Sequence, residues 1–431
     1  MAPRVGVPPA PPAGPAAPGH GETLWAGLLL LLLAGGVVPL LTRPTSGSED
    51  TSALSILLQG LGCLIATIRL ARSPGGLRRA VERLDPALLA LLVLVVISIA
   101  WSVDPVLTLR RSGAVIAASL FGLYLAERWP IDEQVWLVLR VLTAAALASA
   151  VMALVLPSYG VTEEGPWRGV FLTKNVLARL MALGVLAAVL GAGTASWSSA
   201  RRRQAVASGL LCGVVLVQAG SVFATLTVAA VLVLVAAALL VARTSYPLRQ
   251  GVGVLLVAGV VTVLLVAWLE RAAVLDLFGR DASLTGRLPI WSSVVPSIAE
   301  RPWLGWGYGA FWQGWEHPST SALLANPWGP PHSHNGLLET ALNLGIVGAV
   351  LWLLALFACL RRGVQMAARG GGSPSLWAIA LVLLLLAFNL TEVTAMSAAF
   401  FWTLFVSASA ASTVRPAASA QLWTRSTPGR R

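Results

Sequence analysis

Runs of about twenty apolar residues recur along the whole chain, separated by short polar, Pro or Gly segments. Each run is long enough to cross a hydrocarbon core of about 30 Å as an α-helix. Hydrophobic residues make up 57% of the sequence and charged residues only 11%, whereas a soluble domain is about 25% charged. The sequence therefore predicts an all-α polytopic integral membrane protein and excludes an ordinary soluble domain.

The apolar runs and their polar boundaries predict about twelve membrane-spanning helices. They lie near residues 23–42, 52–70, 86–102, 112–127, 134–156, 175–194, 205–221, 223–242, 251–269, 337–360, 376–391 and 396–412. Residues 1–22 consist mostly of Pro, Ala and Gly and cannot bury enough apolar surface to become ordered, so we expect a disordered tail there. Residues 413–431 form a basic tail.

Arginines cluster in alternate connections, which orients the spans. Cytoplasmic loops carry an excess of basic residues, so the clusters at 201–203 and at Arg243 both belong inside, with two spans between them. This arrangement places both termini in the cytoplasm. The net charge of +12 therefore indicates topology rather than nucleic-acid binding. Arg110 and Arg111 fall on the outer side and need another explanation.

The connection at residues 270–336, between the ninth and tenth spans, is about 65 residues long, where most connections have about 4–6. Connections of this length are usually functional or disordered, and this one carries aromatic and apolar stretches that favour a folded structure. The charge bias places it outside the cytoplasm. We expect a large, partly helical extracytoplasmic loop that carries the chemistry of the protein.

Two arginines lie seven residues apart in the loop segment GRDASLTGRLPIW at 279–291. Guanidinium groups at a membrane surface can bind a diphosphate through paired donors without a metal ion. Arg287 and Arg280 are therefore candidate diphosphate ligands. The alternative is that they form ion pairs with Asp276 or Asp281.

Two histidines fall in the loop segment PHSHNGLLE at 331–339, directly before the tenth span. A neutral imidazole can accept a hydroxyl proton at pH 7, so His334 and His332 are candidates for a general base. An interfacial histidine often only bonds a loop carbonyl, and the pair are also potential metal ligands. A His-x-His pair without a third ligand nearby is a weak zinc signal.

The loop is also dense in aromatic side chains, whose flat amphipathic rings suit sugar faces but also suit the core of a folded cap. Trp291 and Trp306 are candidates for glycan contact. The chain has no GxxxxGK[ST] motif, no GxGxxG before a helix and no aspartate pair spaced to hold magnesium on a nucleotide sugar. These absences favour an activated donor that needs neither nucleotide nor metal, such as a lipid-linked sugar.

Five segments together resemble the O-antigen ligase/polymerase superfamily of bacterial envelope glycosyltransferases, in particular its exopolysaccharide-polymerase-like branch. The segments are WSVDPVLTLRR (101–111), RGVFLTKN (168–175), LTGRLPIW (284–291), RPWLGWGYGAFW (301–312) and PHSHNGLLETALNLGIVG (331–348). They occur in the expected order over most of the chain. One departure is visible: relatives often carry Ser-Arg-Thr near the seventh and eighth spans, where this chain reads GSVFATLT (220–227) without the arginine.

The resemblance implies a GT-C-like enzyme in the bacterial inner membrane that transfers a glycan from undecaprenyl diphosphate to an acceptor hydroxyl without a metal or other cofactor. By matched position, His334 would be the general base and Arg287 would hold the diphosphate. Contributions to substrate binding are expected from Arg280, Lys174, Arg110, Arg111, His332, Asn335, Trp291 and Trp306. Asn335 or Glu339 would orient the imidazole. The acceptor, a glycan, a lipid or a protein, is left open, as are the sugar and the oligomeric state.

Two other classes of function remain as alternatives. A transporter or flippase of lipid-linked glycan would need ionisable residues deep in its spans, where Arg140 and Arg179 are the nearest candidates. Both lie within snorkelling distance of a span end, which weakens that hypothesis. A scaffold in an envelope-assembly complex would not require the clustered loop motifs.

Overall fold

The structure is a computed structural model, and it describes residues 18–35, 53–73, 75–242, 287–314, 318–326, 329–368, 372–394, 396 and 399–412. These residues are mostly helical, and the part of the chain so described contains no β-strand beyond one isolated bridge between Val161 and Trp167. The all-α class predicted from the sequence is therefore confirmed for these residues. The predicted ninth span at 251–269 and Arg280 lie outside them.

The described helices are numbered here in chain order. In order they are α1 (His20–Leu33), α2 (Ala53–Arg72), α3 (Gly76–Glu82), α4 (Pro86–Ile97), α5 (Pro105–Arg128), α6 (Ile131–Val155), α7 (Pro157–Gly160), α8 (Lys174–Ala192), α9 (Ser199–Gln218), α10 (Val222–Ala242), α11 (Arg287–Glu300), α12 (Thr320–Ala325), α13 (Gly336–Ala368), α14 (Gly372–Phe388) and α15 (Ala399–Ala411). A 3-10 turn at Ser98–Trp101 extends α4.

Five of the described helices are long and apolar enough to cross a membrane: Leu54–Arg72 of α2, α5, α6, α8, and Gly336–Ala367 of α13. A sixth span is possible if α3 and the α4 segment, which meet at an angle of 107°, count as one. Shorter apolar helices occur in α1, α10, α14 and α15. The fold is that of a helical membrane protein, while the total of about twelve spans stays a prediction.

Several helices extend beyond the predicted spans, and capping explains the early start of α5. Helix α5 begins at Pro105, seven residues before the predicted start at 112. Asp104 caps it by accepting from the Leu107 amide at 2.9 Å, and proline suits the first helical position because it lacks an N–H. Arg110 and Arg111 therefore lie on a helix rather than in a loop. Helix α1 begins at His20, inside the predicted tail.

The core of the bundle is a continuous apolar cluster with a few satisfied polar groups. Helix α15 packs against α5, and α14 lies between α13 and α8. The buried Trp402 indole donates to Ser119 Oγ at 2.8 Å, and the Ser407 hydroxyl donates to Gln134 Oε1 at 2.8 Å. Such bonds remove the penalty for burying polar atoms and fix the register of α15. That register sets where the preceding turn emerges from the bundle.

Helix α13 is broken at Gly345, whose φ of 66° and ψ of −168° no helix tolerates. A break orphans carbonyls before it and amides after it, and these need other partners. The segment at 301–309 supplies them. The bonds run from Trp306 N to Leu342 O (2.9 Å), Gly307 N to Asn343 O (3.1 Å), Ile346 N to Pro302 O (2.7 Å) and Val347 N to Trp303 O (3.3 Å). The glycine-containing segments at 301–309 and 342–347 are therefore joined by backbone hydrogen bonds.

Candidate active site

Four segments distant in the sequence meet at one carboxylate, that of Glu392 in the turn between α14 and α15. Arg287 Nη2 donates to its Oε1 at 2.7 Å, and His334 Nδ1 lies 3.6 Å from its Oε2. From α8, Arg179 Nη1 lies 3.8 Å from Oε2 and Asn175 Nδ2 donates to Oε1 at 3.2 Å. The two predicted catalytic residues therefore share one site, and their common neighbour is an acid.

Local structure on α8 explains why Asn175 and Arg179 reach the same carboxylate. Thr173 caps the helix by accepting from the Val176 amide at 3.3 Å, so the helix starts at Lys174. Residues four apart in a helix lie on the same face, one turn above the other. Arg179 Nε also donates to the Asn175 carbonyl at 3.2 Å, which holds its side chain along that face.

The turn that carries Glu392 is held rigidly by Asn389. Its Oδ1 accepts from the Thr394 amide at 3.0 Å, and its backbone carbonyl accepts from the Gly336 amide at 2.8 Å. Gly336 is required at that contact, because a Cβ there would overlap the Asn389 side chain. The start of α13 and the Glu392 turn are thereby locked together. His334 precedes this junction by two residues, so its ring is brought to the carboxylate.

The backbone of the histidine segment adopts an uncommon conformation. His334 has a φ of 51°, which places a non-glycine residue in the left-handed region. On one side, the Trp291 indole donates to the Ser333 carbonyl at 3.0 Å, and on the other the Ser333 amide donates to Glu339 Oε2 at 2.9 Å. Asn335 caps α13 through its Oδ1, which accepts from Leu337 N at 3.0 Å. Strain held in this way is typical of functional sites.

Glu339 is the buried anchor of the histidine segment. Besides the Ser333 amide, its carboxylate accepts from the Trp312 indole at 3.1 Å and from Asn343 Nδ2 at 3.3 Å. Asn343 in turn accepts from the Gly309 amide at 3.0 Å. A buried carboxylate with several donors is well compensated for the loss of water. The network ties the histidine segment to the glycine-rich segment that bridges the α13 break.

The electrostatics of the site keep its acid charged and one of its histidines neutral. Burial opposes the charge on Glu392, but the His334 ring and the guanidiniums of Arg179 and Arg287 outweigh it and lower its pKa to about 2. Burial, reinforced by the neighbouring His334, lowers the pKa of His332 to about 3. The two imidazole rings lie 4.1 Å apart, and the His334 amide donates to His332 Nδ1 at 3.2 Å. His332 therefore acts at pH 7 as a neutral acceptor.

The same residues also offer a possible metal-ligand set. Ligand atoms of His332, His334 and Glu392 all lie within 4.8 Å of one another, so folding supplies the third ligand that the sequence did not show. However, Arg287 and Arg179 both face the carboxylate within 4 Å, and two fixed positive charges oppose a cation there. The charge balance of the site suits an anion better than a metal ion.

Lys174, Arg111 and Trp306, three other predicted substrate ligands, have contacts with residues other than Glu392. Lys174 Nζ pairs with Glu164 at 2.7 Å, and Arg111 Nη1 donates to the Gly309 carbonyl, while Arg110 is exposed. Trp306 is only 3% exposed and donates to the Ser297 carbonyl at 2.9 Å. In this structure Arg111 and Trp306 support the folded segment around 301–309, and their roles in substrate binding stay predictions.

Sequence reasoning did not assign a site role to Glu392, Arg179 or Asn175. Glu392 is the one charged residue between the two last apolar runs, on the side that the charge bias places outside. Its position as a single acid between two apolar runs was the sequence signal that could have identified it as a candidate site residue. Arg179 lies on α8, which packs against α10, the helix that carries most of the segment where relatives have their additional arginine.

The fold and the site together define a helical membrane protein in which two arginines and two histidines lie close to one buried carboxylate. Residues 213–353 match the family model described as O-antigen ligase, and this stretch contains Arg287 and His334. The chain is also 28% identical over 276 residues to the exopolysaccharide production protein ExoQ of Rhizobium meliloti (strain 1021), a match that covers 60% of this chain and 61% of that relative. The resemblance to the O-antigen ligase/polymerase superfamily is thereby confirmed.

Proposed function

We propose that this protein is a glycosyltransferase that moves a glycan from undecaprenyl diphosphate to an acceptor hydroxyl at the outer face of the bacterial inner membrane. The observation that carries the proposal is the meeting of Arg287 and His334 at one carboxylate, although they come from two different segments. A base and a diphosphate ligand must act on the same sugar, so they have to share a site.

In the proposed reaction the acceptor hydroxyl gives its proton to His334 as its oxygen attacks the anomeric carbon. The bond between that carbon and the diphosphate oxygen breaks, and undecaprenyl diphosphate leaves with additional negative charge. Arg287 stabilises this charge through its paired donors, and the anomeric configuration inverts. The Nδ1 atom of His334 faces Glu392, so we assign the opposite nitrogen, Nε2, as the proton acceptor.

Within this reaction class, chain growth of an exopolysaccharide is favoured over ligation to a lipid or protein. The support is the name of the relative from Rhizobium meliloti, which ties that protein to exopolysaccharide production. The acceptor in our proposal is therefore a second lipid-linked glycan. The metal-independent mechanism is supported by the two guanidiniums, which supply the positive charge that a cation would otherwise provide.

Purified protein in lipid nanodiscs tests the proposal when it is given a lipid-linked glycan with EDTA present. We expect longer glycans and released undecaprenyl diphosphate from the wild type, and at least about a hundredfold less from His334→Ala. His20→Ala, at the exposed start of α1, is the matched control and should retain full activity. Translocation of donor without diphosphate release would support a transporter instead, and loss of activity in EDTA would contradict metal independence.

A further inference from the structure

Ser333 lies between the two histidines and is bonded at every one of its polar atoms. Its carbonyl accepts from the Trp291 indole at 3.0 Å, and its amide donates to Glu339 Oε2 at 2.9 Å. Its hydroxyl donates to the Asn335 carbonyl at 2.9 Å, and the whole residue is buried. Three directional bonds leave a buried segment little freedom. The position of Ser333 therefore determines where the next residue, His334, begins.

Trp291 connects this point to the helix that carries Arg287. The two residues are four positions apart on α11, and residues at that spacing lie on the same face of a helix, one turn apart. Arg287 begins the helix and donates to Glu392 at 2.7 Å. The indole one turn later reaches the carbonyl directly before His334. The Trp291 bond therefore joins the segment of the arginine to the segment of the histidine.

Apolar packing alone does not fix the register of α11. The helix packs on α13 and the loop through a small cluster in which Ile290 and Val294 lie with Phe311 and Leu342. Apolar contact is favourable but has no direction, so a cluster of this size permits small sliding and rotation of the helix. A hydrogen bond from an indole to one particular carbonyl has a preferred length and angle. It selects one register among those that the cluster allows.

Glu339 fixes the same histidine segment from α13. Its carboxylate accepts from the Ser333 amide, the Trp312 indole and the Asn343 side-chain amide, and only 8% of the residue is exposed. The Asn343 side-chain oxygen accepts from the Gly309 amide. All three partners of the carboxylate are N–H donors. A carboxylate accepts at both oxygens, whereas a glutamine offers one oxygen and a further donor, so the surroundings match an acid and not an amide.

We propose that Trp291 and Glu339 are positioning residues that hold Ser333 at its carbonyl and at its amide. Held in this way, Ser333 sets the separation between Arg287 and His334. The inference rests on the proposed function, in which that separation must fit one sugar diphosphate and its attacking hydroxyl. Trp291 then acts as a spacer between two segments, in place of the glycan contact predicted from the sequence. A misplacement of about 1 Å can lower a rate by about a hundredfold, so such a spacer bears directly on catalysis.

Spin labels on the two segments test the spacing without any substrate. Ser292→Cys and Leu337→Cys place labels at exposed positions of α11 and α13 in the full chain in nanodiscs, and the three native cysteines are buried. We expect a narrow distance distribution by electron paramagnetic resonance. It should broaden or shift in Trp291→Phe, which removes the indole N–H and keeps an aromatic ring. Trp303→Phe, at an exposed tryptophan of the same loop, is the matched control and should leave the distribution unchanged. An unchanged distribution in Trp291→Phe overturns the inference.

Kinetics separate a positioning role from the alternatives. With a lipid-linked glycan as substrate, Trp291→Phe should lower kcat per folded protein at least about tenfold and change KM by less than about threefold, because the substrate ligands themselves remain. A raised KM with an unchanged kcat would support the glycan contact instead and contradict the inference. Fewer folded molecules with full kcat would show a role in stability alone, which also contradicts it.

Glu339→Gln tests the second contact and allows a rescue. Glutamine turns one acceptor into a donor, so kcat per folded protein should fall at least about tenfold. Adding Asn343→Asp supplies an acceptor opposite the new donor, and the second oxygen of the introduced carboxylate can still accept from the Gly309 amide. The double variant should return to within about threefold of the wild-type kcat, since the two sites are coupled. A double variant that folds and stays impaired would refute the role of Glu339, even if Glu339→Gln alone does not fold.

The distance measurement keeps this inference separate from the proposed function. If the wild type forms no longer glycan and releases no diphosphate, the proposed function fails, and the label distances still decide whether Trp291 sets the spacing. If transfer occurs but neither the distances nor kcat respond to Trp291→Phe, the reaction stands and the positioning role is wrong.

Discussion

Glu22 is partly buried and Glu392 is buried, and both contact arginines, but the way in which they are bound differs. Glu22 of α1 forms a paired contact with Arg128 of α5, with Nε and Nη2 each 2.8 Å from a carboxylate oxygen, and Tyr124 donates to it as well. Glu392 instead contacts four residues from three other segments: Arg287 at 2.7 Å, Asn175 at 3.2 Å, His334 at 3.6 Å and Arg179 at 3.8 Å. The first glutamate forms a bidentate ion pair with one arginine, whereas the second is shared among several segments.

The difference suggests how structural and functional ion pairs can be told apart in a membrane protein. A bidentate pair between two helices fixes their relative position, and breaking it leaves a buried charge without compensation. A carboxylate shared by side chains from several segments instead brings those side chains to one point. The pair at Glu22 is therefore expected to determine stability, and the cluster at Glu392 to determine ligand binding and catalysis.

The largest expected effect is a loss of catalysis when Arg287, which belongs to the Glu392 cluster, is replaced. Arg287→Ala should lower the rate of glycan transfer by at least about a hundredfold, because charge on the leaving diphosphate would lose its donor. Arg128→Ala should leave the rate per folded molecule unchanged. The measurement is diphosphate release per folded protein, and equal losses in both variants would remove the distinction between the two clusters.

A second prediction concerns the close contact between Gly336 and Asn389, next to the Glu392 cluster. Gly336→Ala should lower transfer activity by more than tenfold and stability by about 1–3 kcal/mol, because its Cβ overlaps Asn389 and pushes the Glu392 turn away from His334. Gly60→Ala in α2 has open space around it and provides the control. Activity assays and thermal unfolding would be compared, and a neutral Gly336→Ala would show that the junction is not needed.

The effect on stability should be larger at the Glu22 cluster than at the Glu392 cluster, the opposite of the order expected for catalysis. Glu22→Gln should reduce the free energy of unfolding by about 1–3 kcal/mol, since a bidentate, largely buried contact is broken. Glu392→Gln should reduce it by less, because its carboxylate has one short contact with an arginine and that of Glu22 has two. Thermal unfolding in detergent measures both. A larger loss in Glu392→Gln than in Glu22→Gln would contradict our distinction between the clusters.

The pH dependence of the Glu392 cluster follows from the lowered pKa of its acid. The ordinary value is 4.5 and the folded value is about 2, so any stabilisation from the ionised form is fully present above pH 4.5 and is lost as the pH falls toward 2. Wild type and Glu392→Gln should thus differ in stability by a constant amount from pH 7 to 5 and converge below. A difference that changes between pH 7 and 5 would assign the effect to another group.

The smallest expected effect is at the cap of α13. Asn335→Ala should cost about 1 kcal/mol of stability, because the Leu337 and Leu338 amides lose their acceptor. Transfer activity should fall only mildly, as the cap is adjacent to His334 without contacting Glu392. Loss of activity as large as that in Arg287→Ala would instead support the substrate-binding role predicted from the sequence.

Sequence reasoning identified the parts of the site that lie in recognisable motifs. Arg287 and His334 each stand in a loop segment with a distinctive pattern, and apolar periodicity was sufficient to predict the helical class. Glu392 was missed because one acid in a four-residue connection has no pattern of its own. Arg179 was noticed only as a charge near a span end. Its partner is brought close by the packing of α14 against α8, which apolar helix sequences do not specify.

Glycine-rich motifs were informative in a different way. The segment at 301–309 and Gly345 belong to the motifs that carry the family resemblance, and the hydrogen bonds across the break in α13 show their structural role. Aromatic residues show the reverse problem. Trp306 is of a residue type that often contacts sugars, yet its side chain is buried in the protein. Residue type alone does not distinguish these two environments.

The four hydrogen bonds across the break at Gly345 have a consequence for how the neighbouring loop segment can move. Because residues 301–309 supply partners for the backbone on both sides of the break, the segment cannot leave α13 without exposing unpaired backbone groups. The position of this segment and the bend of α13 are therefore mechanically coupled.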